Sequence, residues 1–190
     1  GLAPVEIDGK FGYIDKTGTI VIKPQFDSAF NFSEGLAPVE IEGKWGYIDK
    51  RGHIEISPQF LWAFPFSEGM ARIQVGGKYG YIDKTGTIVI KPQFNWTLGV
   101  FSDAQVSIWL GTRYGYRDKK GRYVIDPRFG LAGAFSQGLA CIKIDGKFGF
   151  IDKTGKYVVS PQFVYAFPFS EGLARVIGDI KCCLLYTSDA

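Results

Sequence analysis

The sequence contains few of the residues that carry metal binding and nucleophilic catalysis. Its 190 residues include one histidine, His53, and three cysteines. Cys182 and Cys183 are adjacent, so they form no CxxC pair, and no second histidine is present to complete a Cys/His ligand set. The third, Cys141, falls where other repeats have Pro, Arg or Ser, and we interpret it as an incidental strand residue. We therefore expect no metal site, no cofactor and no catalytic residue.

Long apolar runs and a strong charge imbalance are also missing. No run approaches the roughly 18 residues that a membrane-crossing helix needs. The net charge is only +3, and Lys and Arg are spread evenly, whereas a nucleic-acid-binding face needs clustered basic residues. We expect no membrane span and no nucleic-acid partner. Because the chain starts at Gly1 inside a repeat without a signal-peptide pattern, we expect a fragment truncated at both ends, and its location is unknown.

What the sequence does have is a repeat. The motif Gly43–Gly52, Gly-Lys-Trp-Gly-Tyr-Ile-Asp-Lys-Arg-Gly, occurs five times in altered form. Its second glycine recurs at positions 12, 46, 80, 115 and 149, with spacings of 34, 34, 35 and 34 residues. A fixed period in this range predicts a repeat architecture. The 16% aromatic content and the sparse Ala, Leu and Glu favour strands.

Each repeat predicts three strands. Alternating apolar residues at 36–41 indicate a half-buried strand, and a Gly-centred tight turn leads to the second strand at 45–49. The glycine inside that second strand predicts close packing of a ring or a neighbouring backbone. A turn then leads to a third strand, in which Ile20 and Ile22 share a face and Pro24 ends the strand. The connector that follows, with recurring Phe and a Phe-Ser-Glu-Gly motif, is predicted to be partly buried.

These motifs, in this order and phase, resemble the WG (KWG) repeat family of bacterial proteins. The resemblance covers about residues 1–181, although only Trp45 keeps the tryptophan that names the family. It implies a repeated all-β domain of interaction type and supplies no catalytic residues. From Cys183 onward, the chain resembles a translated sequencing adapter, as in a metagenomic fragment. We therefore predict a repeat array at 1–181 and a non-native tail at 182–190. Residues 183–190 are expected to continue no strand and to make few contacts.

The recurring aromatic position supports two interpretations. Its five residues are predicted to be buried structural residues on the face of the Tyr or Phe two positions later, and they are Phe11, Trp45, Tyr79, Tyr114 and Phe148. The alternative is a row of exposed platforms for carbohydrate or choline.

The recurring Asp-Lys-x-Gly element is assigned to the hairpin turn. An Asp that begins a turn and a Gly in the left-handed region explain all five copies without a metal ion. The turn residues are Asp15, Gly18, Asp49, Gly52, Asp83, Gly86, Asp118, Gly121, Asp152 and Gly155. A second acidic position (34, 68, 103, 137, 171) includes a glutamine, Gln137, which argues against acid–base catalysis.

The predicted fold is all-β, a tandem array of five three-stranded antiparallel meanders, elongated and solenoid-like, with a propeller-like closed array as the alternative. The repeats are placed at about 1–34, 35–68, 69–103, 104–137 and 138–171, with a partial unit at 172–181. The function predicted is a non-enzymatic scaffold or binding module for a protein partner. A carbohydrate- or cell-wall-binding module is the alternative.

Overall fold

The computed structural model describes residues 1–95 and 99–178, together with the backbone of a strand at Cys182–Tyr186. These residues form strands and connectors without any α-helix, so no described helix is long and apolar enough to cross a membrane. The chain divides into two compact units, Gly1–Asn95 and Trp96–Ala190, each with three antiparallel sheets. The all-β repeat fold predicted from the period is therefore confirmed.

The first unit contains eleven strands, whose sheets are β1–β3, β4–β7 and β8–β11. Their bounds are β1 Ala3–Ile7, β2 Lys10–Ile14, β3 Ile20–Phe26, β4 Ser28–Ala29, β5 Ala37–Ile41, β6 Lys44–Ile48, β7 Ile54–Phe60, β8 Trp62–Ala63, β9 Met70–Val75, β10 Lys78–Asp83 and β11 Ile88–Phe94. The second unit has the sheets β12–β14, β15–β18 and β19–β21. Their bounds are β12 Gln105–Leu110, β13 Arg113–Asp118, β14 Tyr123–Phe129, β15 Leu131–Ser136, β16 Leu139–Ile144, β17 Lys147–Asp152, β18 Tyr157–Phe163, β19 Tyr165–Ala166, β20 Leu173–Ile177 and β21 Cys182–Tyr186.

The three predicted strands of each repeat form a meander, and a short fourth strand joins several of them. In the second sheet, β4 pairs with β5, β5 with β6 and β6 with β7. The fourth strand belongs to the connector of the preceding repeat, as in β4, β8, β15 and β19. In these four cases the connector of one repeat adds a strand to the sheet of the next.

The third strand differs from the prediction in two ways. Pro24 does not end β3, because the strand continues to Phe26, which pairs with Phe11. In addition, Tyr13 pairs with Ile22 while Ile14 pairs with Ile20, so one extra residue lies in β3 between these two pairs. Such a bulge shifts the alternation by one residue. Ile22 is consequently buried and Ile20 exposed, and the prediction that they share a face is wrong.

The glycine of the second strand is explained by this irregular third strand. A Cβ atom added at Gly46 would lie 2.5 Å from the carbonyl oxygen of Ile56 and 2.7 Å from the nitrogen of Pro58. The four equivalent glycines show corresponding distances of 2.4 to 2.7 Å to a carbonyl oxygen. No side chain fits there, so the prediction of a closely packed neighbouring backbone is confirmed.

The cores lie between successive sheets. In the first unit, Tyr13 and Ile22 of the first sheet pack with Val39 and Ile48 of the second. The opposite face of the second sheet, including Tyr47, packs with the third sheet. In the second unit, the fourth sheet packs on the fifth and the fifth on the sixth in the same way. The second and the fifth sheets thus have two apolar faces, each covered by a neighbouring sheet, which is why a single repeat cannot bury its own core.

The prediction that the tail continues no strand is wrong for residues up to 186. Strand β21, Cys182–Tyr186, pairs with β20 in regular antiparallel register from Ile177–Cys182 to Leu173–Tyr186. Strand pairing uses backbone groups, which every residue except proline supplies, and β20 offers an edge to whichever segment follows it. Residues 187–190 lie outside the described part of the chain.

Candidate functional site

The five recurring aromatic residues lie in or beside the cores. Trp45 and Phe148 are buried, and Phe11, Tyr79 and Tyr114 are half-buried. None of them presents the exposed ring that the carbohydrate interpretation of these five positions needs. The Trp45 ring stacks on Phe30 at 5.1 Å and contacts Trp62 at 5.2 Å. Its buried Nε1 has no hydrogen-bond acceptor among the described residues, so no hydrogen bond there requires an indole in place of a phenyl ring.

The aromatic residue two positions later is the anchor of each connector. Tyr13, Tyr47 and Tyr116 are fully buried. The Tyr47 hydroxyl donates a hydrogen bond to the carbonyl oxygen of Phe64 at 2.7 Å, and its ring contacts Phe66 at 4.9 Å. Burial raises the pKa of the Tyr47 hydroxyl well above its usual value. These tyrosines therefore act as neutral structural donors.

The Asp-Lys-x-Gly elements form hairpin turns built around one carboxylate oxygen. Asp49 Oδ1 accepts hydrogen bonds from the backbone N–H groups of Arg51 and His53 at 2.8 and 2.9 Å. The backbone N–H of Gly52 donates to the Asp49 carbonyl oxygen at 3.0 Å, and Gly52 has a φ of 88°. The other four turns share this geometry, with the glycine φ between 76° and 88°.

Hydrogen bonds also set the ionisation of the turn carboxylates. At Asp15, the side-chain hydroxyl of Thr17 and then the backbone N–H groups of Thr17 and Thr19 hold the pKa below its usual value. At Asp49, burial acts to raise the pKa, but the donors from His53 and Arg51 outweigh it and the pKa is lowered. A carboxylate that accepts several hydrogen bonds from its own turn has a structural role in that turn. Among the described residues, no group of three or more His, Cys, Asp or Glu side chains is placed to hold a metal ion.

Cys141 is a buried free thiol. Its Sγ donates to the carbonyl oxygen of Ala166 at 3.5 Å. Burial raises the pKa of the thiol to about 11, so little thiolate forms at neutral pH. The position is therefore unsuited to nucleophilic chemistry.

The second recurring acidic position forms a contact between consecutive repeats, which we call the repeat latch. Ser33, Glu34, Gly35 and Leu36 form a two-residue hairpin with Glu34 and Gly35 in the left-handed region, at φ of 51° and 95°. Glu34 Oε2 accepts a hydrogen bond from the backbone N–H of Gly69, in the equivalent turn of the next repeat, at 2.9 Å.

Two further contacts complete this latch. The Ser33 hydroxyl donates to the carbonyl oxygen of Phe66 at 2.6 Å. Lys84, from the following Asp-Lys-x-Gly turn, lies 3.1 Å from Glu34 Oε2. Burial acts to raise the pKa of Glu34, but the hydrogen bonds from Lys84 and Gly69 outweigh it and lower the pKa.

The second unit repeats the latch with other residues. Asp103 accepts from the Gly138 N–H at 2.9 Å and lies 3.3 Å from Lys153. Gln137 accepts from the Gly172 N–H at 3.0 Å through its amide oxygen. The shared requirement is an acceptor oxygen rather than a charge, which explains why an amide occurs at this position.

Two sets of exposed or half-buried side chains were not singled out from the sequence as binding surfaces. The first, which we call the outer-strand row of each unit, is the first residue of each third strand. These residues are Ile20, Ile54 and Ile88 in the first unit, and Tyr123 and Tyr157 in the second. These residues are 47, 52, 48, 41 and 42% exposed. Every one lies on an edge strand, since each third strand ends its sheet.

The second set consists of two aromatic–arginine clusters at the same repeat positions. The first cluster is Trp62, Phe64 and Arg72, and the second is Tyr165, Phe167 and Arg175. Trp62 and Tyr165 are 40 and 56% exposed. Both begin a two-residue connector strand, which the sequence pattern does not reveal.

Comparison with known proteins agrees with this architecture. The family model described as WG containing repeat matches residues 11–45, 45–79, 79–103, 114–148 and 148–177. No curated protein matches the chain. A crystal structure described as a eukaryotic initiation factor is similar in fold, with a TM-score of 0.61 and 9% identity over 98% of this chain. The chain spans only 61% of that protein's length.

A second solved structure is PorZ, an essential bacterial surface component of the type-IX secretion system of Porphyromonas gingivalis. It aligns with a TM-score of 0.43 and 11% identity, over 95% of this chain and 28% of PorZ. A similarity at this level carries no functional argument. The family model, in contrast, matches most of the chain in the phase that the strands show. The chain belongs to the WG-containing repeat family.

Proposed function

We propose that this chain is a non-enzymatic repeat scaffold that binds a protein partner through the outer-strand row. The observation that carries the proposal is the recurrence of an exposed Ile or Tyr at one position in all five repeats. Single exposed apolar residues are ordinary, but a regular series on strand edges is typical of an interaction surface.

The geometry of the third strand supports docking at its amino-terminal end, where the outer-strand row lies. An edge strand presents unpaired backbone groups to which a partner strand can add. In β3, Pro24 and the charged Lys23 protect the edge towards its carboxyl end from pairing, and the bulge at Val21 shortens the stretch that can pair in regular register. The stretch from Ile20 to Ile22 has neither a proline nor a charge. A partner with an extended apolar segment fits this stretch.

The turn carboxylates support the non-enzymatic part of the proposal. The recurring carboxylates that could be considered for acid–base chemistry are the five turn aspartates. Their side-chain oxygens accept backbone hydrogen bonds within their own turns. The latch position is filled by Glu, Asp or Gln, and an amide cannot act as a general base. Both sets are explained by turn and repeat geometry.

A charge-insertion series tests this surface. In one variant, Ile20, Ile54 and Ile88 are changed together to Lys. In the control, Leu61, Val75 and Val100, which are similarly exposed but lie outside the row, are changed to Lys in the same way. The immobilised chains are exposed to a lysate of the source organism, and bound proteins are quantified by mass spectrometry. We expect a partner that the parent and the control retain and the row variant loses. Equal retention by all three chains, or loss in the control as well, would contradict the proposal.

A further inference from the structure

The aromatic–arginine clusters point to a second binding activity, separate from the outer-strand row. We infer that Trp62 with Arg72, and Tyr165 with Arg175, are two copies of a binding site for an acidic carbohydrate, a glycan chain that contains uronic acid residues.

The first cluster offers an open aromatic surface. Trp62 contacts Trp45 at an interplanar angle of 49° and Phe64 at 58°, so neither neighbour stacks parallel to the indole. The buried Trp45 fixes the position of the exposed ring. A pyranose has one face formed mainly by C–H bonds, and such a face packs on an exposed aromatic ring that is held in place.

The half-buried Arg72 supplies the charge that a carboxylate needs, and it stacks on Phe64, whose ring centre lies 6.3 Å from that of Trp62. The Arg72 Cζ lies 3.8 Å from the centre of the Phe64 ring and 5.4 Å from that of Tyr79. Stacking between rings orients the guanidinium, and a guanidinium binds a carboxylate through two parallel hydrogen bonds. Arginine keeps its charge although burial lowers its pKa. The ring and the cation together match a sugar that carries a carboxylate.

The same arrangement occurs in the second unit. Tyr165 stacks on Phe148 at 5.4 Å with an angle of 22°, which leaves its other face for a ligand. The Arg175 Cζ lies 4.0 Å from the centre of the Phe167 ring, and both residues are exposed. The aromatic–arginine set occurs at the same positions of two repeats, and the fold does not require it, because other repeats lack it. Ser28 and Leu131 occupy the position of Trp62, and Pro38 and Cys141 occupy the position of Arg72.

An acidic peptide is the competing ligand, and the strand geometry disfavours it. Peptides that add to a sheet edge depend on backbone hydrogen bonds along several residues. The exposed edges here, Trp62–Ala63 and Tyr165–Ala166, are two residues long. Recognition must therefore rely on the ring face and the guanidinium, which suits a polysaccharide better than an extended peptide.

The test uses residues that the chain itself carries at these repeat positions. One double variant combines Trp62→Ser with Tyr165→Ser, as in Ser28, and the other combines Arg72→Ser with Arg175→Ser, as in Ser107. The control is Tyr157→Ser, which removes an exposed tyrosine outside the clusters. Affinity for polygalacturonate is measured by calorimetry and affinity electrophoresis, at physiological salt and at about 0.5 M salt. Dextran and poly-glutamate serve as the neutral and the peptide probes.

We expect polygalacturonate to bind the parent and the control equally and each double variant at least about tenfold more weakly. The ring-dependent part should persist at high salt. No binding to polygalacturonate, equal binding of dextran or of poly-glutamate, or equal loss in the control would each overturn the inference. Circular dichroism checks folding, and if Trp62→Ser lowers stability, Trp62→Leu copies Leu131 and must show the same loss.

Discussion

The repeat latch provides the sharpest test of how consecutive repeats are held together. The Glu34 carboxylate has two separable kinds of contact, hydrogen bonds from the backbone of the Glu68–Gly69 turn and an ion pair with Lys84. Glu34→Gln keeps an acceptor oxygen for Gly69 and removes the charge. Glu34→Ala removes both contacts. The natural Gln137, which accepts from the Gly172 N–H, shows that the amide fits this geometry.

The expected magnitudes follow from the exposure of the two contacts. The side chains of Lys84 and Glu34 are 45 and 29% exposed. An ion pair in such a setting contributes well under about 1 kcal/mol, and salt weakens it. The hydrogen bond from a backbone amide to a carboxylate adds about 1 to 1.5 kcal/mol. We therefore expect a loss below about 0.5 kcal/mol for Glu34→Gln and of about 1.5 kcal/mol for Glu34→Ala.

A third variant separates contact from backbone strain. Glu34 has a φ of 51°, a conformation that costs any residue with a Cβ more than glycine. Glu34→Gly loses the same contacts as Glu34→Ala but relieves about 1 kcal/mol of strain, so it should be the more stable of the two. Urea unfolding at pH 7 measures all three variants. Equal losses for the Gln and Ala variants would mean that the ion pair dominates, and neutral effects in all would refute the latch.

The pH dependence has a defined sign. The pKa of Glu34 is lower in the folded chain than its ordinary value of about 4.3. The stabilisation that depends on its charge is therefore complete above that value and disappears as the pH falls through the lowered pKa. The stability difference between the parent and Glu34→Gln should shrink between about pH 5 and pH 3. A difference that grows on acidification would contradict this assignment.

The remaining predictions concern the turn, the strand glycine and the buried hydroxyl, all measured by urea unfolding. Gly46→Ala should cost about 3 kcal/mol because the added methyl meets backbone atoms that cannot move aside, and a neutral result would refute the close approach. Gly52→Ala should cost about 1 to 2 kcal/mol, whereas Asp49→Asn, which keeps the acceptor oxygen, should leave stability nearly unchanged. Stabilisation by calcium that Asp49→Asn removes would contradict the turn assignment. Tyr47→Phe should cost about 1 kcal/mol, since Phe64 loses its donor, and Phe150 shows that the ring alone fits.

Sequence reasoning succeeded where the chemistry is local. The Asp-Lys-x-Gly turns follow from residues within five positions of each other, and the glycines have the positive φ that the pattern predicted. Reasoning from single strands failed where two strands determine the outcome. The bulge at Val21 and the continuation of β3 past Pro24 depend on pairing with β2, which no periodicity in β3 displays.

The short connector strands and the tail were missed for a related reason. Ser28–Ala29 and Trp62–Ala63 are too short for alternation to be recognised, and they become strands because the next repeat offers an edge. Strand β21 forms beside β20 although Cys182–Tyr186 does not match the repeat motif. In each case the segment forms a strand because it pairs with an available strand edge. The sequence of the segment alone therefore does not predict the strand.

Within one repeat, some positions are required by the fold and others vary without loss of the fold. Positions fixed by close backbone packing or by contact with a neighbouring repeat tolerate little: the strand glycine admits no side chain beside the third strand of its own sheet, and the latch position holds only residues with an acceptor oxygen. The positions of Trp62 and Arg72, in contrast, hold Ser, Leu, Pro or Cys in other repeats without loss of the sheet. Residues at the proposed binding positions can therefore vary while the sheet is kept. This variation is also why the cluster variants separate binding from folding.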